Sequence, residues 1–313
     1  MEPSQDKTQE VGGQKSFQSS GHGQQDFQSP QVAEAVTRSS KLNKKRLLIS
    51  AGGILLLAAA LAYFVYSSVD SAKPPNQQVN TVTEEPVEQK TSLRMLATGD
   101  WIAHDSINAQ AKTDSDSGYD YAQFLTAFKP YFDESDINFC NQATPTGGEE
   151  FGISGYPVFN APLQWSTDMF DFGCNVINTG TNHTNDKGQA VITEQLTHWD
   201  SYETLAVAGA NRSAEEQKKV RYFEMDGIKF AFLSYSTYSN LPNPKPYSLN
   251  RYDPKLYQPQ MKEARAQADI VIVSMRWGTE YADAINSAQE DAAQKLADLG
   301  ADIVLGHGTH TLQ

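Results

Sequence analysis

The chain has 313 residues, with 25 lysines and arginines against 38 aspartates and glutamates, and a formal net charge of −13. Binding to nucleic-acid phosphates requires clustered Lys and Arg, so this acidic balance argues against a nucleic-acid partner. Residues 1–40 are rich in Gln, Ser and Gly and poor in branched apolar residues. Such a segment cannot bury enough surface to offset chain entropy, so we predict a disordered tail that extends to residue 46.

An uncharged, largely apolar run follows from Leu47 to Tyr66. At about 1.5 Å per residue in a helix, twenty residues span roughly 30 Å, the thickness of the hydrocarbon core of a bilayer. The run therefore predicts a transmembrane signal anchor over 47–66. A cleaved signal peptide is the alternative, but its charged region would be unusually long and the apolar run exceeds a typical signal-peptide core.

Charges on the two sides of the anchor predict its orientation. Four basic residues precede it, namely Lys41, Lys44, Lys45 and Arg46. Positive charge marks the cytoplasmic side, so we expect a single-pass protein of the cell membrane with a cytoplasmic tail (1–46) and an extracytoplasmic remainder. Residues 67–92 are rich in Pro, polar and acidic residues and read as an extended linker.

Residues 93–313 alternate strand and helix patterns and suffice for one α/β domain. Strands are expected at 93–98, 137–140, 176–179, 220–225, 228–234, 270–274 and 303–305. Helices are expected at 121–132, 163–172, 190–202, 255–268 and 288–299. The Asp226-Gly227 pair between two apolar runs predicts one antiparallel hairpin. Parallel βαβ units interrupted by one hairpin favour a layered α/β fold with a mixed sheet.

The chain has two cysteines, Cys140 and Cys174. An extracytoplasmic location permits a disulfide between them. However, Cys140 lies near the end of one expected strand and Cys174 at the start of another. In parallel strands these positions are too far apart to bridge, so we expect two buried free thiols.

The stretch from Thr181 to Gly188 (TNHTNDKG) carries an amide, an imidazole and a carboxylate just after an expected strand. Open α/β sheets place their ligand sites at the carboxyl ends of strands, so a site is one interpretation. The alternative is a turn in which Asn185 or Asp186 caps the next helix. The octet alone does not separate these interpretations.

Polar groups recur at the other strand ends. They are Asp100, His104, Asn141, Asn182, His183, Arg276, Glu280, His307 and His310. Any one of them is most simply a turn residue or a satisfied polar group. Together, carboxylates, amides and imidazoles converging from parallel strands are what a divalent-metal phosphoesterase site requires.

The ordered motifs resemble a known family. They are Gly99-Asp100, Asp136…Asn141…Thr144-Pro145, Asn182-His183-x-x-Asp186-x-Gly188, Trp277-Gly278-x-Glu280-Tyr281 and Gly306-His307-x-x-His310. This series is similar to that of the CapA-type, poly-γ-glutamate capsule biosynthesis proteins of the calcineurin-like metallophosphoesterase superfamily. The resemblance covers roughly residues 93–313. It implies a four-layer α/β/β/α sandwich, and a part in making or exporting an anionic surface polymer.

The resemblance also implies roles for individual residues. Asp100, Asn182 and His310 match metal-binding positions, and Asn182 would also contact phosphate. His183 matches the proposed general acid, and Asp186 would orient its imidazole.

Three positions depart from the family pattern, which places Glu at Ala143, His at Arg276 and His at Gly308. His104 and His307 are candidate substitute ligands, because each lies a few residues from an expected one. Arg276 cannot be a ligand, since its guanidinium stays protonated. We therefore expect one divalent ion at most (Mn²⁺, Zn²⁺ or Fe).

Arg276 suggests a different use of the site. We expect its guanidinium to replace part of the lost metal charge and to bind a carboxylate or phosphate oxygen bidentately, in an anion pocket shared with Asn141 and Glu280. The alternative is a surface ion pair between Arg276 and Glu280 or a nearby Asp, which contributes little to stability.

Two function classes follow. One is a membrane-anchored, metal-dependent hydrolase or transferase acting on a phosphoester or a polymer linkage. The other is a non-catalytic, anion-binding or polymer-binding accessory protein that works with other polymer-synthesis membrane subunits. The substitutions favour the second class. Because the sequence stops just past the last motif, whereas family domains usually continue with further strands, we also expect that 93–313 is an incomplete domain.

Overall fold

The structure is a computed structural model that describes residues 92–112 and 118–313. The predicted tail (1–46), the predicted anchor (47–66) and the linker as far as residue 91 lie outside the described residues. Among the helices in the described ranges, none is both long and apolar enough to cross a bilayer.

Two four-stranded sheets organise the described part of the chain. The first sheet is entirely parallel and follows chain order, with β1 at Met95–Trp101, β2 at Ile137–Gln142, β3 at Val176–Asn178 and β4 at Ala206–Ala208. The second sheet is mixed, with β5 at Arg221–Met225, β6 at Ile228–Ser236, β7 at Ile270–Arg276 and β8 at Ile303–His307. The β5–β6 pair is antiparallel and the other pairs are parallel.

The predicted hairpin is confirmed at the β5–β6 turn. Asp226 and Gly227 have φ values of 50° and 78°. Both values lie in the left-handed region that a tight two-residue hairpin turn requires.

Eight α-helices occur in the described ranges. They are α1 at Asp105–Ala111, α2 at Ala122–Leu125, α3 at Lys129–Asp133, α4 at Leu163–Phe172, α5 at Gly188–Trp199, α6 at Ala214–Lys218, α7 at Pro254–Gln267 and α8 at Ser287–Asp298. The expected helix over 121–132 is broken, because a 3-10 turn at Thr126–Phe128 separates α2 from α3. Phe128, expected in the apolar stripe, lies in this 3-10 turn, and its side chain is exposed.

Three apolar layers hold the elements together. Trp101, Trp165 and Met169 belong to the layer between the first sheet and its helices. Phe139, Val176, Phe230 and Ile272 belong to the layer between the two sheets. A third layer lies between the second sheet and α7 and α8, and includes Val271, Val273, Met261 and Leu296. Since strand side chains alternate, Ile272 faces the other sheet while Val271 and Val273 face the helices. The predicted α/β fold with a mixed sheet is confirmed.

The prediction of two free thiols is wrong. Cys140 and Cys174 form a disulfide, with their Cα atoms 5.7 Å apart. Cys174 does not begin β3 but lies in the turn after α4, where its N–H donates to the carbonyl of Met169. This turn places Cys174 in the helix-side layer of the first sheet, the same layer into which Cys140 points.

Candidate functional site

The carboxyl ends of strands from both sheets meet in one polar cluster. β1 contributes Asp100, β2 contributes Asn141 and β3 contributes Asn178. β7 and β8 contribute Arg276 and His307. Hydrogen bonds connect the two sheets here, because the His307 ring contacts both asparagines. The structure therefore brings most of the predicted strand-end residues together.

Asp100 and His310 form a close pair at the mouth of this cluster. Oδ2 of Asp100 lies 2.7 Å from Nδ1 of His310. Oδ1 of Asp100 accepts a 2.5 Å hydrogen bond from the side-chain amide of Asn141. Nε2 of His310 is 3.8 Å from Oε1 of Glu280. A cleft of about 790 Å³ opens beside the pair, between β1 and β8.

His307 is buried, and both of its ring nitrogens are engaged. Nδ1 lies 3.0 Å from the amide nitrogen of Asn141, and Nε2 lies 2.9 Å from Oγ of Ser274. Burial, with the nearby Arg276 charge, lowers the pKa of His307 to about 3, so the ring is neutral. Because the Asn141 amide nitrogen is a donor, Nδ1 accepts from it, while Nε2 lies near both Oγ of Ser274 and, at 3.2 Å, the amide nitrogen of Asn178. His307 thus positions Asn141, and the contacts do not support its expected role as a substitute ligand.

His104 is also placed differently from expectation. Its side chain is exposed and caps α1, with Nδ1 accepting a hydrogen bond from the backbone N–H of Asp105. Its ring also approaches Phe159 edge-on. His104 is thus a helix cap, rather than a substitute ligand beside Asp100.

The 181–188 stretch forms a histidine–carboxylate pair. Nδ1 of His183 lies 2.7 Å from Oδ2 of Asp186, whose carboxylate is almost fully buried. The same oxygen accepts a 2.8 Å hydrogen bond from the backbone N–H of Phe159. The helix-capping alternative is wrong, because α5 has Lys187 at its N-cap and no side-chain cap hydrogen bond.

Arg276 is buried in the site and has several partners. Nε donates to Oδ1 of Asn182 at 2.8 Å, and one NH2 hydrogen donates to Glu280 at 2.9 Å. NH1 donates to the carbonyl of Trp277 at 3.2 Å, and NH2 also donates to the hydroxyl of Tyr238. The guanidinium in addition stacks on the Tyr238 ring.

These contacts correct both interpretations of Arg276. A guanidinium has five N–H donors, and four of them are used within the protein. A free two-pronged face for a carboxylate or phosphate is therefore not available. Of the two partners that the alternative allowed, Glu280 is the one observed, but the pair is not a surface one, because the Arg276 side chain is only 1% exposed.

Gly308 makes room for Arg276. It has a φ of 90°, and a Cβ at this position would overlap with Cδ, Nε and Cζ of Arg276. The departures at 276 and 308 therefore depend on each other, because Arg276 fits only where residue 308 has no side chain. The third departure, Ala143, is buried.

The donor set does not fit a pair of metal ions. The oxygen of Asn182 that would bind a cation already accepts from Arg276, whose charge repels a divalent ion. In the described ranges, no three His, Cys, Asp or Glu side chains are grouped for a metal ion. Asp100 and His310 are the donor types that suit a single ion.

Sequence reasoning missed several members of the site. They are Asn178, Ser234, Tyr238, Asn240 and Ser274. Asn178 and Ser274 could have been identified from the sequence, because each is a polar residue within an otherwise apolar strand. Tyr238 and Asn240 lie in the loop after β6, which carries no motif.

An α/β fold with two facing sheets and polar groups at their strand ends defines a class of proteins that bind ligands at that edge. Residues 94–313 match the family described as Bacterial capsule synthesis protein PGA_cap, and the chain belongs to this family. The resemblance seen in the motifs is confirmed.

Two curated relatives are similar to the chain. The "PGA biosynthesis protein CapA" of Bacillus subtilis (strain 168) is 32% identical over 152 residues, which cover 46% of this chain and 38% of that protein. The "Capsule biosynthesis protein CapA" of Bacillus anthracis is 28% identical over 151 residues, which cover 45% of this chain and 36% of that protein. The matched region thus spans well under half the length of either relative.

Proposed function

We propose that this chain is a membrane-anchored, extracytoplasmic CapA-like protein that takes part in making or exporting an anionic surface polymer of the poly-γ-glutamate type. The observation that carries the proposal is the family match over 94–313. The names of the two relatives, which refer to PGA and capsule biosynthesis, support it. Its partners would be the cell membrane, the polymer and other polymer-synthesis membrane subunits, with no nucleic acid.

The Cys140–Cys174 disulfide supports the extracytoplasmic part of the proposal. Disulfides persist in oxidising surroundings and are rare where cytoplasmic thiols keep cysteines reduced. The apolar run at 47–66 and the basic residues before it are consistent with the same location.

The proposed site is a degenerate metallophosphoesterase-type site. Asp100 and His310 would hold one divalent ion at most (Mn²⁺, Zn²⁺ or Fe), which would polarise a bound oxygen. Arg276 fills the other side of the site. This combination of at most one ion with a buried arginine favours a non-catalytic role in binding an anionic polymer.

The His183–Asp186 pair favours a second candidate, an active phosphoester hydrolase. Asp186 holds Nδ1 of the imidazole, and Nε2, which lies 3.3 Å from the amide nitrogen of Asn240, is the nitrogen that would give or take a proton at a bound group. General acid–base catalysis of this kind contributes on the order of 10² to 10⁴ in rate.

Complementation separates the candidates. Deleting the gene in its own organism should abolish or strongly reduce the surface polymer, and the wild-type chain should restore it. We expect His183→Ala to restore it as well, because the proposed role is binding. A loss of rescue by His183→Ala, with normal protein level, would instead support the hydrolase. An unchanged polymer in the deletion strain would contradict the proposed function.

A second experiment tests the single ion. Mn²⁺ or Zn²⁺ should raise the melting temperature, since an ion that binds only the folded chain adds about 2.7 kcal/mol at a hundredfold excess over its dissociation constant. Asp100→Ala and His310→Ala should abolish the shift. His104→Ala is the matched control and should keep it, because His104 caps α1 and packs against Phe159. A wild-type melting curve unaffected by either metal would rule out the ion.

A further inference from the structure

The side chain of Asn182 points its amide nitrogen towards Asn240. Its oxygen is bonded to Nε of Arg276 at 2.8 Å, and the arginine is itself held by Trp277, Tyr238 and Glu280. Turning the amide over would place its NH2 group against the Nε–H donor. Two hydrogen-bond donors would then face each other in a buried position, which is energetically costly. The orientation of the Asn182 amide is therefore fixed.

The fixed amide has an incompletely used donor. Nδ2 of Asn182 carries two hydrogens and donates one long bond, 3.3 Å, to Oδ1 of Asn240. Asn240 in turn places its own amide nitrogen 3.3 Å from Nε2 of His183. The loop that carries Asn240 is tied to Asn182, because the Asn240 N–H donates to the Asn182 carbonyl at 2.9 Å. Two amide donors thus lie together beside His183.

We infer that Asn182 and Asn240 form a metal-independent binding site for an oxyanion, a carboxylate or phosphate group, and that Arg276 is the positioning residue that turns Asn182 into a donor. An amide can bind a cation through its oxygen or an anion through its nitrogen. Here the oxygen is consumed by a buried cation, so the nitrogen is what remains for a ligand. Arg276 acts through Asn182 and does not itself clasp the ligand.

A buried cation lies behind this donor pair, and its ion-pair partner Glu280 is partly exposed to solvent. Arg276 places a permanent positive charge one hydrogen bond behind the Asn182 amide. Oδ2 of the Asp186 carboxylate is bonded to His183 and to the Phe159 N–H, whereas its Oδ1 is buried without a hydrogen-bond partner among the described residues. This inference rests on the proposed function only in identifying the natural anion as a group on the polymer. The donor geometry stands without that identification.

Asn182→Asp is the decisive variant. It is nearly isosteric and keeps an oxygen for Nε of Arg276, but it replaces the free donor with a charged acceptor. We expect the purified full chain to bind inorganic phosphate or glutarate in the presence of a chelator, measured by calorimetry. Asn182→Asp should weaken that binding at least tenfold and strengthen binding of Mn²⁺. Preference for phosphate or for glutarate distinguishes a phosphate source from a carboxylate source.

A matched control adds the same charge elsewhere. Gln258→Glu lies on the exposed face of α7 and should leave anion binding unchanged. If Asn182→Asp fails to fold, an NMR titration of the wild-type chain tests the inference by itself. The side-chain amide signal of Asn182 should shift as phosphate or glutarate is added.

The inference is overturned if the wild-type chain binds neither anion in chelator, if binding requires a divalent ion, or if Asn182→Asp binds the anions as well as the wild type. Each of these results would leave the polymer phenotype of the deletion strain untouched, so failure here is distinguishable from failure of the proposed function.

Discussion

Removing the Cys140–Cys174 disulfide is expected to lower the free energy of unfolding by roughly 4 kcal/mol. The two cysteines are 34 residues apart in sequence, and a cross-link of that span removes substantial freedom from the unfolded chain. Both cysteines are buried in the layer between the first sheet and its helices. For a domain of about 220 residues, the loss corresponds to a fall in melting temperature of roughly 10 °C.

Thermal melts with and without a thiol reductant measure this effect. The control is the double variant Cys140→Ala with Cys174→Ala, which should melt near the reduced wild type and should not respond to the reductant. Alanine is preferred to serine because the site is apolar. Labelling of denatured protein taken from intact cells should find no free thiol. Free thiols in that sample, or melting unaffected by reduction, would contradict both the cross-link and the extracytoplasmic location that it supports.

The architecture could be predicted largely because the pattern of apolar residues has a clear period. The long elements α4, α7 and α8, and the β5–β6 hairpin, all follow from it. The short elements α1, α6 and β4 were missed, because elements of three to seven residues show too few repeats to establish a period.

The candidate site could be predicted only where its residues follow strands in motifs. Asp100, Asn182 and His183 were found this way. What the sequence does not encode locally is the partner of each group. The pairing of Arg276 with Gly308 links positions on different strands, and the donor role of Asn182 depends on that pairing. The cysteine prediction failed for the same reason, since it assumed that Cys174 lay in a strand and the turn after α4 placed it elsewhere.

Gly308→Ala is expected to lower the free energy of unfolding by roughly 2–5 kcal/mol. Part of the cost is backbone strain, because the residue has a φ of 90° and a non-glycine residue with left-handed φ costs about 1–2 kcal/mol. The larger part is the overlap of the new Cβ with Arg276, since forcing an extra methyl into packed space costs about 1–3 kcal/mol. Arg276 cannot swing away easily, because four of its donors are bonded.

A matched glycine separates the two costs. Gly227 has a φ of 78° and open space where a Cβ would be, so Gly227→Ala should show the backbone cost alone. The overlap is then isolated by a double-mutant cycle with Arg276→Ala. Arg276→Ala is itself destabilising, but Gly308→Ala added to it should cost little more than Gly227→Ala. A coupling energy above about 1 kcal/mol in denaturant melts is expected for residues in direct contact. Additive effects would mean that Arg276 and Gly308 do not interact. That result would contradict the placement of the Arg276 guanidinium against residue 308 inside the site.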